Sequence, residues 1–214
     1  MARDDPGIIE RAARAAGEAE ASAAQALSPY ANARWLERLA DLGDQPQLRT
    51  LCVAAIAAGL AAGRASGYGP RLARAGLRML VAHQLATMGK NFVKRRIDRT
   101  RPRSLSRPGK HHRPSPGSSE AKEETSFPSG HAAGAAAVAR AFAREFPRHR
   151  SAATAAGAVL AAVQVPRCAH YPSDIGAGLA LGLAAEVGVA ALWPESAASV
   201  SEAAPQEEVE PCES

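Results

Sequence analysis

The apolar positions of this chain fall into blocks joined by short polar links, and almost none shows the strict alternation of a strand. The pattern over 35–42 predicts a short amphipathic helix. Five longer apolar segments follow at about 48–63, 71–93, 131–146, 151–165 and 174–193. About a quarter of the residues are alanine, the best helix former and small enough to let helices approach closely. The fold expected is therefore all-α, a helical bundle of about five or six helices. A membrane-spanning helix needs about 20 mostly apolar residues. The uncharged runs here are 50–63, 151–166 and 175–194, the last interrupted by Glu186, and the mean hydropathy of -0.18 is low for an integral protein. Polar arms and a long loop pull that average down, however, and the closeness of the apolar segments favours a bundle embedded in a membrane over a soluble one.

Residues 1–28 mix alanine with charges of both signs and lack the continuous apolar core of a secretory signal, so they read as a flexible N-terminal arm. The main domain is 29–193, and the acidic 194–214 reads as a disordered tail. A different stretch, 98–127, is dominated by proline, serine and charge. A loop of this length inside a compact domain is either a functional lid or disorder, and His111 and His112 within it read as solvated loop residues.

The net charge of +5 is uneven, because 94–113 carries nine Lys or Arg while none follows Arg167. A basic stretch serves nucleic acid, an anionic membrane or a phosphorylated substrate. Nucleic acid would call for interleaved aromatics or a helix-turn-helix or finger pattern, and neither is visible. Cys52, Cys168 and Cys212 are too few and too scattered for a disulfide framework or a metal-ligand spacing, and no carboxylate cluster of the magnesium type appears, so no metal or cofactor is expected.

Three short stretches carry chemistry. The first runs from Lys94 to Arg101-Pro102. Pro102 pushes Arg101 out of helical geometry, so that Lys94 on the last helical turn and Arg101 just beyond it can converge on one anion. The second, Phe127-Pro128-Ser129-Gly130-His131, opens an alanine-rich helix. Ser129 is placed as N-cap, Gly130 permits close approach of backbone to ligand, and His131 sits on the first turn, positioned to donate a proton. The third runs from Arg167 to Gly176. In it Asp174, four residues after His170, can fix the ring tautomer and leave the other nitrogen free as a nucleophile. If the apolar segments are antiparallel neighbours, all three stretches fall at one end of the bundle.

The pattern Lys-x6-Arg-Pro, then Pro-Ser-Gly-His, then His-Tyr-Pro-Ser-Asp before a glycine-rich helix resembles the type 2 phosphatidic acid phosphatase superfamily, which also includes vanadium haloperoxidases. The resemblance covers about 48–193. It implies that His170 attacks phosphorus, that Asp174 orients it and that His131 protonates the leaving group. Lys94, Arg101, Ser129 and Gly130 would bind the phosphoryl oxygens. The family usually places an arginine six residues before the nucleophilic histidine, where this chain has Gln164. Arg167, about one helical turn away, is expected to reach the same phosphate.

The function expected is a metal-independent phosphatase of a lipid phosphate or pyrophosphate, with a phosphohistidine intermediate, in a multi-pass protein of a bacterial-type inner membrane. The partners are a lipid phosphate substrate and the membrane, not nucleic acid. A soluble acid phosphatase or vanadate-binding haloperoxidase keeps the chemistry and changes the setting. A nonenzymatic basic protein binding nucleic acid or anionic membrane is the reading from another class. The excess of Lys and Arg on the side of the long loop would place that loop, and the site, on the cytoplasmic side, but the same residues are needed for phosphate, so the side stays open.

Overall fold

A computed structural model describes residues 8–104 and 113–193 of the chain. His111, His112, Cys212 and the acidic tail lie outside the described residues. Seven α-helices are present among them: α1 (Ile8–Ala26), α2 (Arg34–Asp41), α3 (Gln45–Ala62), α4 (Gly69–Lys94), α5 (Gly130–Glu145), α6 (Arg150–Ala162) and α7 (Pro172–Leu192). Among the described residues the only strands are a two-residue antiparallel ladder in the long loop, β1 (Ile97–Asp98) against β2 (Ser115–Pro116), with an isolated bridge between Arg99 and Thr125.

Helix boundaries follow local chemistry. Helix α3 starts before the apolar run because Pro46 suits the first helical turn. Helix α6 stops at Ala162, since Pro166 disfavours continuation and the chain turns back through Cys168, whose φ is 51°. At the start of α7, Pro172 is the first helical residue. The Asp174 carboxylate accepts from the backbone N–H of Tyr171, closing a capping box.

Helix α5 is the hub, packed against α3, α4, α6 and α7, and it buries ten of its 16 residues. Its alanines allow that, and glycines on the partner helices bring backbones closer still. A Cβ on Gly182 of α7 would lie 2.3 Å from the Ala133 carbonyl, and one on Gly178 2.4 Å from that of Ser129. Away from the chemical motifs, a buried charge cluster ties α4, α5 and α7 together. Arg78 lies fully buried between Glu145 (Nη1 to Oε1 3.3 Å) and Glu186 (Nε to Oε1 3.5 Å). Arg74 reaches Glu145 at 3.0 Å and Arg144 reaches Glu186 at 2.7 Å. Glu186, which interrupts the last apolar run, thus faces inward to arginines, as an ionisable residue in an apolar helix must.

Three helices expose apolar side chains. Leu77, Val81, Leu85, Met88 and Phe92 of α4 are all exposed and recur every three or four residues, one stripe about 22 Å long. Leu51, Val53 and Leu60 on α3, and Leu183, Val187 and Leu192 on α7, extend it around the bundle. Helix α7 has a mean hydropathy of 1.9 over its best window with only 28% of that window buried, and its 21 residues reach about 31 Å, the thickness of a bilayer core. A soluble bundle would bury such faces; an exposed belt of this kind suits lipid.

Candidate active site

Helices α4 and α5 run antiparallel, so the end of α4, the start of α5 and the turn between α6 and α7 meet at one end of the bundle. They enclose a cavity of about 310 Å³ whose walls include Lys94, Arg101, Gly130, His131 and His170.

His170 is 2% exposed. The turn before it is held by the Gln164 carbonyl, which accepts from the N–H groups of Ala169 (3.1 Å) and His170 (3.4 Å). Its Nδ1 stands 3.7 Å from Asp174 Oδ2 and 3.5 Å from Ser126 Oγ. Ser126 donates to that same carboxylate oxygen at 2.5 Å, and the Tyr171 N–H does so at 2.9 Å. Burial pushes the imidazole down to about 4, against the pull of Asp174, which favours its charged form. His170 is therefore neutral at physiological pH, with Nδ1 turned to the carboxylate side.

The second oxygen of Asp174 accepts from Arg99 Nη1 at 2.6 Å. Arg99, 4% exposed, is a junction: Nη1 also reaches Ser173 Oγ at 2.7 Å, Nη2 pairs with Glu20 at 3.0 Å, and the guanidinium lies 4.0 Å from the centre of the Tyr171 ring. Glu20 belongs to α1 and also accepts from the N–H (2.7 Å) and hydroxyl (2.9 Å) of Ser173. The N-terminal segment from Ile8 to Ala26 is thus a helix docked on the turn that carries His170.

Across the cavity, the His131 ring centre is 6.4 Å from that of His170. Its Nε2 lies 2.6 Å from Asp44 Oδ1, just ahead of α3. Ser129 caps α5, its hydroxyl accepting from the Ala132 N–H at 3.3 Å, and its own N–H donates to the Asp174 carbonyl at 2.9 Å, stitching α5 to α7. The Ser129 side chain is fully buried, and Gly130 is the residue of that pair that borders the cavity.

The cations are held by backbone oxygens. Lys94 Nζ donates to the Thr125 carbonyl, and Arg101 donates to those of Lys122 (2.7 Å) and Ala169 (3.3 Å). Burial and neighbouring Arg103 lower Arg101 to about 10, still charged at neutral pH. Arg167 is half-buried and near enough for its charge to act on Arg101 and His131, although it does not line the cavity. Gln164 is fully buried, and its side-chain amide makes no hydrogen bond among the described residues.

Five residues here escaped the sequence reading. Lys90 lines the cavity four residues before Lys94, so helical spacing alone could have found it. Ser126 and Arg99 lie beside the motifs, where proximity was the only signal. Asp44 and Glu20 come from distant segments and carry none.

The chain belongs to the PAP2 superfamily, whose sequence profile matches residues 75–197. It is accordingly a phosphatase by class. The fold is similar to the crystal structure of the first transmembrane PAP2 type phosphatidylglycerolphosphate phosphatase from Bacillus subtilis. The two share 20% identity with a TM-score of 0.57, over 83% of this chain and 86% of that one. No curated protein sequence matches.

Proposed function

We propose that the chain hydrolyses a lipid phosphate or lipid pyrophosphate through a phosphohistidine on His170. The observation that carries this reading is a neutral, buried imidazole backed by Asp174 and facing a cavity walled by Lys94, Arg101 and His131. His170 Nε2 attacks phosphorus while Asp174 stabilises the imidazolium as positive charge develops. Lys94 and Arg101, with Arg167 at the edge and the N–H groups at the start of α5, neutralise the phosphoryl oxygens. His131 gives its proton to the departing oxygen, then takes one from the water that cleaves the N–P bond, releasing phosphate and free His170. Charge neutralisation falls to side chains and backbone, so a metal has no step to perform.

The lipid follows from the surface. The exposed apolar belt and α7 support a multi-pass membrane protein, and a cavity at the end of such a bundle suits a lipid headgroup. The similar Bacillus subtilis structure is of an enzyme named for a lipid phosphate. Phosphate release from a panel of lipid and soluble phosphates, with and without chelator, tests the reading. Release from lipid phosphates should survive chelation and vanish in His170→Ala; retained activity in that variant would overturn the mechanism.

A further inference from the structure

The cavity's positive lining continues one helical turn beyond the groups used above. Lys90 lies on the same wall as Lys94, four residues earlier on α4 and so about 6 Å away along the helix axis. Its stem lies along the start of α5: a Cβ on Gly130 would sit 3.0 Å from Lys90 Cδ and 3.6 Å from its Nζ. The Gln45 amide nitrogen lies 3.4 Å from the same point, and Arg49, one turn along α3, is near enough for its charge to act on Lys90. Lys90 has no hydrogen bond or ion pair among the described residues. The start of α5 is itself the positive end of a helix, the wrong place for a lysine whose role is structural. Asp44, the carboxylate of this wall, is engaged with His131. An ammonium, an amide donor, a nearby guanidinium and a helix N-terminus thus gather on one wall of the cavity with no carboxylate paired to the ammonium.

The position matters for the reaction. A phosphoryl group attacked by His170 beside Lys94 and His131 has Lys90 and Gln45 on the wall of the same cavity, within reach of a group carried by the leaving oxygen. In a monoester that group is carbon, which gains nothing from an ammonium. In a diphosphate it is a second phosphoryl group. We propose that Lys90, supported by Arg49 and Gln45, binds the second phosphoryl group of a lipid diphosphate, making such a diphosphate the preferred substrate. This rests on the reading of His170 as nucleophile. The bridging P–O bond breaks as the N–P bond forms, lipid monophosphate leaves, and water then releases inorganic phosphate from His170.

The test uses the purified full chain in detergent, with an isoprenyl diphosphate and the monophosphate of the same chain length as paired substrates. Wild type should show the higher kcat/KM on the diphosphate. Lys90→Met should lower the diphosphate-to-monophosphate ratio of kcat/KM by about 10- to 100-fold, the loss of one charge-assisted hydrogen bond. Lys90→Arg should restore most of that ratio, and Arg49→Gln, at an exposed position, should lower it more mildly. Equal losses on both substrates in Lys90→Met, or a wild-type preference for the monophosphate, would overturn the proposal. Should Lys90→Met not fold, the Arg49→Gln ratio and the wild-type preference decide it in the same way. Activity of His170→Ala on both substrates would instead overturn the underlying phosphatase mechanism, so the two failures are distinct.

Discussion

Replacing Arg99 by methionine removes a junction and leaves Asp174 as a buried carboxylate without its hydrogen-bonded cation. Asp174 would lose the 2.6 Å bond to Oδ1 and keep only the Ser126 and Tyr171 bonds, both on Oδ2. Breaking one partner of a buried ion pair costs about 3–5 kcal/mol, and the two surviving bonds place this site at the lower end, about 3 kcal/mol. For a chain of this size each kcal/mol moves Tm by about 2–4 °C, so Arg99→Met should melt about 6–12 °C below wild type. Thermal unfolding in detergent, with kcat/KM on the same samples, measures it. Arg99→Lys should recover only part, since a point charge cannot fork between Asp174, Ser173 and Glu20. The discriminating species is Arg99→Met/Asp174→Asn. A neutral amide without the arginine is no longer an uncompensated charge, so the double variant should be more stable than the sum of the two singles predicts. Additivity within about 0.5 kcal/mol would show that Arg99 and Asp174 do not hold each other, and would refute the account of how His170 is oriented.

Further outcomes follow from the same geometry. Because burial holds His170 at about 4, the acid limb of kcat/KM corrected for substrate ionisation should fall with a midpoint near 4; an acid-limb midpoint at the ordinary histidine value of about 6.5 would contradict the buried site. Asp44→Asn removes the carboxylate at 2.6 Å from His131, and should lower kcat more for substrates whose leaving group needs a proton than for an activated aryl phosphate. Gly182→Val forces a side chain against the Ala133 carbonyl and should destabilise by about 1–3 kcal/mol in a thermal melt, while Gly176→Ala, facing open space, should be nearly neutral. Glu186→Leu leaves Arg78 and Arg144 short of a buried partner, and should lower Tm by an amount similar to Arg99→Met.

The bundle was legible because alanine and leucine periodicity marks helices and because prolines and glycines fall where helices begin and turn. Boundaries slipped where the first turn is polar, as at Gln45-Pro46-Gln47, or where Pro166 ended α6 before the apolar run did. Within the site, what could be read was what lies within one motif, such as the four-residue step from His170 to Asp174. Contacts between distant segments were not readable: Asp44 reaches His131 from ahead of α3, and Glu20 reaches Arg99 across 79 residues. The N-terminal segment looked like an arm because its charges have no partner until the fold supplies one. Charge counting leaves the orientation open. The opposite end of the bundle carries Arg71, Arg74, Arg140, Arg144 and Arg148, so both ends are basic, and the loop's excess does not assign a side.

The central claim is a covalent bond between phosphorus and His170, and trapping it is the most direct test. His131→Ala should still form the phosphoenzyme from an aryl phosphate, whose leaving group needs little protonation, but should hydrolyse it slowly. Quenching in base followed by peptide mass spectrometry should then find an acid-labile, base-stable phosphoryl group on His170. Phosphate on another residue, or steady turnover by the variant with no phosphoenzyme, would contradict the account.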